Sequence, residues 1–179
     1  LPIQSGNNEI LKTMRRDHTV EEYLELIDEL KSEVPDVSLT TDIIVGFPGE
    51  TDSQFQDTLK VMERVGYSSS FMFSYSPRPG TPANEMQDSV PEDVKKQRLQ
   101  EIIQLQNRLT EEQGKLYQGK TVEVLIEGNS SRPGYAFKGR NPQYWRVNAK
   151  SDTGQFQPGD IVQVKIEQTS GHGLSGVVQ

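Results

Sequence analysis

A buried strand followed directly by a glycine-rich turn constrains the fold of this chain more than any other feature. Residues 42–51 read DIIVGFPGET. The β-branched run at 43–45 is typical of a strand covered on both faces, and Gly46 and Gly49 end it before a helix begins at Thr51. In α/β sheets ligands bind at the carboxyl ends of the strands, where glycines let a flat group approach the backbone. The segment predicts either a ligand-binding turn or a tight turn without a ligand.

Size and composition exclude several classes of protein. The 179 residues suffice for one medium domain or two small ones. No segment approaches the roughly 18 to 20 apolar residues of a membrane span, so we expect a soluble, cytoplasmic protein without membrane contacts. The chain contains no cysteine, which excludes a disulfide or a cysteine-held iron–sulfur cluster within it. The two histidines, His18 and His172, are isolated, and no metal site is predicted.

Charge is distributed unevenly along the chain. Residues 1–117 hold 12 Lys and Arg against 21 Asp and Glu, whereas residues 118–179 hold 7 against 5. The change from net negative to net positive coincides with the end of a long helical pattern. We therefore expect a domain boundary there, with domains at 1–117 and 118–179.

The first domain alternates strands and helices. Strands are predicted at the chain start, at 37–45 and at 69–75. Helices are marked by three capping boxes and by an apolar stripe on the last helix, which runs to about residue 117. The boxes are Thr19 with Glu22, Thr51 with Gln54, and Ser89 with Glu92, and the stripe consists of Leu99, Ile102, Leu109 and Leu116. This order predicts three βα units around a parallel sheet.

Three βα units are too few to close a barrel of about eight. The sheet would keep an open edge and an exposed apolar face, so we expect upstream strands to be missing and the chain to be a fragment. Such a fragment should self-associate to cover that face.

Five short β-branched runs in the second domain predict a small all-β barrel similar to an OB fold. They lie at 121–126, 136–140, 144–149, 161–166 and 173–178. Cations alternate there with aromatic residues, an arrangement that suits RNA because phosphates need charge and unpaired bases need a flat partner. The alternative is that the rings are core residues with solvated charges between them. The cations are Lys138, Arg140, Arg146 and Lys150, and the rings are Tyr135, Phe137, Tyr144 and Trp145.

The three predicted strand ends of the first domain should meet on one rim, because the strands are parallel. They carry the sequences QSG at 4–6, GFPG at 46–49 and SYSPR at 74–78. Polar donors, glycines and Arg78 would then surround one cleft. Such a cleft suits an anionic or zwitterionic cofactor with a flat base.

Several of these motifs, in this order, resemble the radical S-adenosylmethionine methylthiotransferases. The matching segments are LPIQSGN at 1–7, Met14 with Arg16, His18-Thr19, DIIVGFPGET at 42–51 and YSPRPGTPA at 75–83. Val90-Pro91, Lys96, Arg98-Leu99 and Leu105-Gln106 also match, and residues 118–179 look like the TRAM domain of that family. The resemblance covers nearly the whole chain.

The resemblance implies an α/β fold that forms half of a partial TIM barrel, followed by a TRAM RNA-binding barrel. The family uses S-adenosylmethionine and two 4Fe-4S clusters: one cluster cleaves S-adenosylmethionine to a radical, and the second delivers the methylated sulfur. The cysteines that hold both clusters are absent here. We therefore expect this chain alone to bind neither cluster and to be inactive, and we assign it no catalytic residue.

The resemblance also implies residue roles. Gln4 and Ser5 would border the cofactor, Arg16 would pair with its carboxylate or ribose, and the backbone of Val45, Gly46, Phe47 and Pro48 would contact the adenine. The expected RNA-binding residues are Arg78, Lys138, Arg140, Arg146 and Lys150.

The substrate follows from the same resemblance. Arg78-Pro79-Gly80 looks like the tRNA-modifying branch of the family, so the expected partner is a tRNA anticodon stem-loop. The reaction would add a 2-methylthio group to the isopentenyl-modified adenosine beside the anticodon. Two alternatives stay open: a threonylcarbamoyl-bearing adenosine as the substrate, and a non-catalytic RNA-binding module.

Overall fold

The computed structural model describes all residues except 88, 152, 153, 155 and 172. The chain divides into two compact units, Leu1–Leu109 and Thr110–Gln179. No helix among the described residues is both long enough and apolar enough to cross a membrane.

The sheet of the N-terminal unit has two parallel strands, and one isolated parallel bridge joins the chain start to it. Strand β1 spans Thr40–Val45 and pairs in parallel with β2, Ser69–Ser74. The predicted strand at the chain start is a single parallel bridge from Gln4 to Ile43. The Gln4 N–H donates to the Asp42 carbonyl at 2.9 Å, and the Ile44 N–H donates to the Gln4 carbonyl at 3.0 Å. The parallel order is confirmed, with the first strand reduced to its last residues.

The helices begin where the sequence supplies caps. Both predicted capping boxes at Thr19 and Thr51 form, with the hydroxyl and the Glu22 or Gln54 side chain bonded reciprocally. Gly66 ends α3 in the left-handed region, at φ 67°, a conformation that favours glycine. The helices are α1 Asn8–Thr13, α2 Val20–Glu33, α3 Asp52–Val65 and α4 Glu92–Lys115, with a 3-10 turn at Pro82–Glu85.

The third predicted capping box, at Ser89, is wrong. Helix α4 begins at Glu92, and its first helical bond joins the Lys95 N–H to the Pro91 carbonyl at 3.0 Å. The Ser89 hydroxyl instead accepts a hydrogen bond from the Gly49 N–H at 3.1 Å. Ser89 therefore binds the turn after β1, and among the described residues its side chain makes no hydrogen bond to the first turn of α4.

The core of the N-terminal unit lies between β1 and the helices. Ile43 and Val45 point toward the helices and are fully buried, and each such side chain contributes about 1.5–3 kcal/mol. Helix α4 contributes Ile102 and Leu109 as predicted. The prediction for Leu116 is wrong: this residue follows the helix and is 60% exposed.

The C-terminal unit is a closed five-stranded barrel, as predicted. Its strands follow the order β3-β4-β5-β7-β6, and β6 pairs with β3 to close it. The β5–β7 pair is parallel and the other pairs are antiparallel. The strands are β3 Thr121–Asn129, β4 Phe137–Arg140, β5 Arg146–Lys150, β6 Ile161–Ser170 and β7 Gly173–Val178.

Two glycines allow the barrel strands to come close together. A Cβ atom on Gly139 would collide with the Leu125 carbonyl, and one on Gly176 would collide with the Lys165 carbonyl. Because both obstacles are backbone atoms of a neighbouring strand, a side chain at either position would force the strands apart. Glycine is therefore required for the tight curvature of this small barrel.

Candidate cofactor rim and nucleic-acid interface

The three strand ends of the N-terminal unit meet on one rim. The Tyr75 N–H donates to the Val45 carbonyl at 2.8 Å, which extends the β1–β2 pairing to the end of both strands. The bridge at Gln4 places Ser5 at the same end of β1. Gln4 is buried and has φ 67°, a conformation that a non-glycine residue adopts only when its surroundings impose it.

A buried ion pair stabilises the turn after β1. The Glu50 carboxylate accepts the Gly46 N–H at 2.7 Å through Oε2. The same oxygen accepts from Arg98 Nη1 at 2.8 Å, and Nη1 also donates to the Glu50 carbonyl at 3.0 Å. One carboxylate oxygen therefore joins the turn to helix α4.

The pair lies almost entirely out of solvent. The Glu50 side chain is 0% exposed and the Arg98 side chain 7%. Burial raises the pKa of the Glu50 carboxyl, while the Gly46 N–H and Arg98 oppose that rise. Among the described residues, Glu50 Oε1 and Arg98 Nε have no hydrogen-bond partner. A buried charge left without its partner is costly, so each residue depends on the other.

Lys95 fills the space beside Gly46. A Cβ atom on Gly46 would lie 2.5 Å from Lys95 Cγ, and Lys95 is buried. Its Nζ atom lies 2.9 Å from Glu92 Oε1 and 5.6 Å from the centre of the Tyr75 ring. Gly46 therefore permits a close approach by Lys95, whereas Gly49 is exposed and has open space beside its Cα.

The structure brings six of the seven predicted cofactor residues together at this rim. Gln4, Ser5 and the segment 45–48 are all buried there. Arg16 is different: it lies in the turn after α1 with its side chain exposed. No hydrogen bond or ion pair among the described residues joins its side chain to the rim.

Sequence reasoning missed the roles of Glu50, Lys95 and Arg98. A signal was present, because residues 95, 98, 102, 105 and 109 follow the three- and four-residue spacing of one buried helix face. Two members of this stripe are cations, and cations are usually assigned to solvent. The buried face of α4 therefore includes Lys95 and Arg98, two residue types that are normally expected on the surface.

A basic groove of about 640 Å³ lies on the barrel. Three of the predicted RNA-binding residues, Lys138, Arg140 and Arg146, line it, together with Arg132. Glu127 also lines the groove and accepts a hydrogen bond from Arg140 Nε at 2.9 Å. Four cations against one carboxylate give the groove a net positive charge.

The aromatic residues of the barrel divide into two classes. Phe137 and Trp145 belong to the core, as the alternative interpretation predicted. Tyr135 is half-buried, with the Arg132 guanidinium 4.9 Å and Lys150 Nζ 5.6 Å from its ring centre. Tyr144 is exposed. Two of the four rings therefore belong to the core, and the other two are at least partly accessible to solvent.

The remaining predicted residues lie apart from the groove. Lys150 contacts Tyr135 and is not among the groove-lining residues. Arg78 belongs to the N-terminal unit, in the exposed loop after β2, where its carbonyl accepts the Thr81 hydroxyl at 2.8 Å. Within the described part of the chain, no three His, Cys, Asp or Glu side chains form a group that could hold a metal ion. His172 lies outside the described residues.

Family models match two separate parts of the chain. The Radical SAM superfamily model matches residues 1–62 and the TRAM domain model matches residues 115–178. The chain is 44% identical over 99% of its length to a tRNA-2-methylthio-N(6)-dimethylallyladenosine synthase of Acetivibrio thermocellus. Proteins of the same name from Oceanobacillus iheyensis and Bacillus subtilis are each 46% identical over 99% and 98% of the chain. The chain spans 37%, 34% and 34% of these relatives, about a third of their length.

Removing Arg98 alone should destabilise the N-terminal unit. Arg98→Leu leaves the Glu50 carboxylate buried without its cation, so we expect a loss of about 3–5 kcal/mol in the free energy of unfolding. The free energy of unfolding is measured by urea denaturation followed by far-ultraviolet circular dichroism. Unfolding of the barrel is followed separately by the fluorescence of Trp145, the one tryptophan in the sequence. The double variant Glu50→Gln, Arg98→Leu removes both charges and should recover most of the loss. Equal losses in the two variants would contradict the pairing.

The loss of stability caused by Arg98→Leu should also depend on pH. The pKa of Glu50 is raised by burial, so the folded state holds this proton to a higher pH than the unfolded state does. Protonation as the pH falls therefore favours folding, and without Arg98 it also neutralises the unpaired charge. The destabilisation by Arg98→Leu should be greater at pH of about 7.5 than at about 5.5.

Proposed function

Because this chain belongs to the radical S-adenosylmethionine methylthiotransferase family, we propose that it is part of an enzyme that adds a 2-methylthio group to an isopentenyl-modified (dimethylallyl) adenosine in tRNA. The observation that carries the proposal is the likeness, over nearly the whole chain, to relatives named for that product. The same likeness favours the isopentenyl substrate over the threonylcarbamoyl one and an enzyme over a non-catalytic binding module. A tRNA substrate accords with a cytoplasmic location.

The N-terminal unit supplies the cofactor-binding rim in this proposal. Its three parallel segments would be half of a partial TIM barrel, within a domain at 1–117 that precedes a TRAM domain at 118–179. The buried polar residues Gln4 and Ser5 and the fastened turn at 45–48 fit the edge of a flat, zwitterionic cofactor such as S-adenosylmethionine. Arg16 would reach its carboxylate or ribose from the adjacent turn.

The iron–sulfur clusters do not fit this chain, because it contains no cysteine. In the family, S-adenosylmethionine and the clusters supply the radical and the sulfur. The residues of this chain would instead position the cofactor and exclude water, which are the contributions that proteins make to cofactor chemistry. We propose that the chain alone is inactive.

Loss of Arg16 should weaken cofactor binding in a complete enzyme of this sequence. Arg16→Ala removes the cation proposed to pair with the carboxylate or ribose, and charged hydrogen bonds contribute about 1.5–3 kcal/mol. We therefore expect the dissociation constant of S-adenosylmethionine, measured by equilibrium dialysis, to rise about tenfold or more. The neighbouring exposed Arg15 gives a matched control, since Arg15→Ala changes charge equally. Equal affinities in the two variants would remove Arg16 from the proposed site.

The barrel supplies RNA binding in this proposal, and the tRNA anticodon stem-loop is the proposed ligand. Support comes from the basic groove lined by Lys138, Arg140 and Arg146. Phosphate contacts depend on charge and release counterions, so such a groove binds RNA with strong salt dependence. Lys150 and Arg78 are proposed as further contacts outside the groove.

Neutralising the groove should reduce the salt dependence of RNA binding. The double variant Lys138→Gln, Arg146→Gln removes two phosphate contacts, so the slope of log affinity against log salt should fall by about 1.4–1.8. Filter binding of an anticodon stem-loop over a salt series measures it. The matched control is Lys120→Gln, Lys165→Gln, which removes two exposed charges of the same unit outside the groove. If both variants change the slope equally, the groove is not the binding site.

We further propose that the isolated chain self-associates through the open face of its parallel sheet. On edge strand β2, Phe71 is 65% and Phe73 53% exposed. In register, they lie opposite the half-buried Asp42 and Ile44 of β1. Within the described part of the chain β2 pairs only with β1, and two large exposed rings on such an edge strand favour association with a second copy.

Replacing the exposed rings should reduce that association. Phe71→Ser, Phe73→Ser removes both exposed rings from this face, so light scattering at tens of micromolar protein should shift from a dimer or larger species to a monomer. Leu26→Ser is a control, because Leu26 is also an exposed apolar residue but lies on helix α2. A wild-type chain that is already monomeric would contradict the proposal.

A further inference from the structure

Tyr144 is exposed at a point where the barrel backbone is in an unfavourable conformation. Its side chain is 74% exposed and its φ is 67°. Bulky residues avoid the left-handed region, where glycine or asparagine is favoured. Neither burial nor backbone preference explains an aromatic residue at this position.

The turn between β4 and β5 imposes this conformation. The Tyr144 N–H donates to the Asn141 carbonyl at 2.9 Å, and Asn141 Oδ1 accepts the Trp145 N–H at 2.8 Å. The Asn141 N–H donates to the Trp145 carbonyl at 3.2 Å. Asn141 at the start of the turn and Trp145 at its end are both buried, so both ends of the turn are anchored in the barrel. The ring is therefore presented to solvent by a fixed turn.

A cation covers one side of this exposed ring. The Arg140 guanidinium lies 4.1 Å from the ring centre, and Arg140 Nη1 donates to the Tyr144 carbonyl at 3.3 Å. Arg140 Nε is held by Glu127. Arg140 also lines the basic groove with Lys138 and Arg146. The ring thus lies against a cation that also lines the groove, and most of the residue is open to solvent.

We propose that Tyr144 is a stacking platform for one unpaired RNA base, with Arg140 behind the ring and the groove cations on the flanking phosphates. This inference rests on the proposed RNA-binding function and specifies the kind of RNA bound. An unpaired base offers a free face for stacking, whereas the bases of a duplex already stack on one another. The barrel should therefore prefer single-stranded or loop nucleotides at this site.

The test measures binding of the whole chain to two RNA probes. One is a single-stranded oligonucleotide of about 12 residues that contains one 2-aminopurine, a base whose fluorescence falls on stacking, and the other is a blunt duplex. Tyr144→Ala should weaken single-strand binding about 5- to 150-fold and abolish the fluorescence change. Tyr144→Phe keeps the ring and should retain both. Duplex binding should be the same in all three proteins.

A second variant keeps the test valid if the alanine variant folds poorly. Tyr144→Asn places a residue that tolerates the left-handed region and removes the ring, and circular dichroism verifies its fold. Unchanged single-strand affinity in this variant would overturn the stacking role and leave the RNA-binding function standing. Failure of the wild-type chain to bind either probe would overturn both. Equal weakening by Tyr144→Phe would show that the hydroxyl acts instead of the ring.

Discussion

The buried pair of Glu50 and Arg98 is the interaction on which the N-terminal rim depends. It joins residues 48 positions apart and holds the Gly46 N–H through the same carboxylate oxygen. The Arg98 guanidinium also lies 5.3 Å from the centre of the Phe55 ring, which belongs to the core on α3. The pair therefore connects the turn, α3 and α4. Without it, the turn after β1 would keep the Gly49–Ser89 hydrogen bond, the contact with Lys95 and its own backbone bond from Glu50 to Phe47, but no buried charged contact to α4.

Strand alternation produces most of the barrel's basic face, and Arg132 joins it from the loop between β3 and β4. Side chains on a strand alternate between two faces. Since Phe137 and Gly139 of β4 are buried, Lys138 between them faces outward. On β5, Val147 and Ala149 are buried while Arg146 and Lys150 are exposed. The five-strand closure thus places cations from neighbouring strands on one surface. A one-residue slip in register would exchange core and surface on both strands.

Local signals in the sequence predicted local structure well. The capping boxes at Thr19 and Thr51 and the glycine at 66 depend on residues within one turn of a helix, so the sequence alone identifies them. The predictions at Ser89 and Leu116 failed because a local pattern extended past the helix ends that tertiary contacts determine. The burial of Lys95 and Arg98 could not be predicted from α4 itself, since it follows from Gly46 and Glu50 on a distant turn. Likewise, alternation separates Phe137 from Lys138, but only the fixed turn explains why Tyr144 is exposed beside the buried Trp145.

The turn after β1 is packed more tightly at Gly46 than at Gly49, although the Gly49 N–H is also bonded, to Ser89. The stem of Lys95 and the Glu50 carboxylate immobilise it at Gly46, whereas Gly49 faces open space. The first part of the turn has therefore already lost its conformational entropy when the chain folds. A ligand that contacts this part meets a preorganised surface, so its binding free energy is not spent on ordering the backbone.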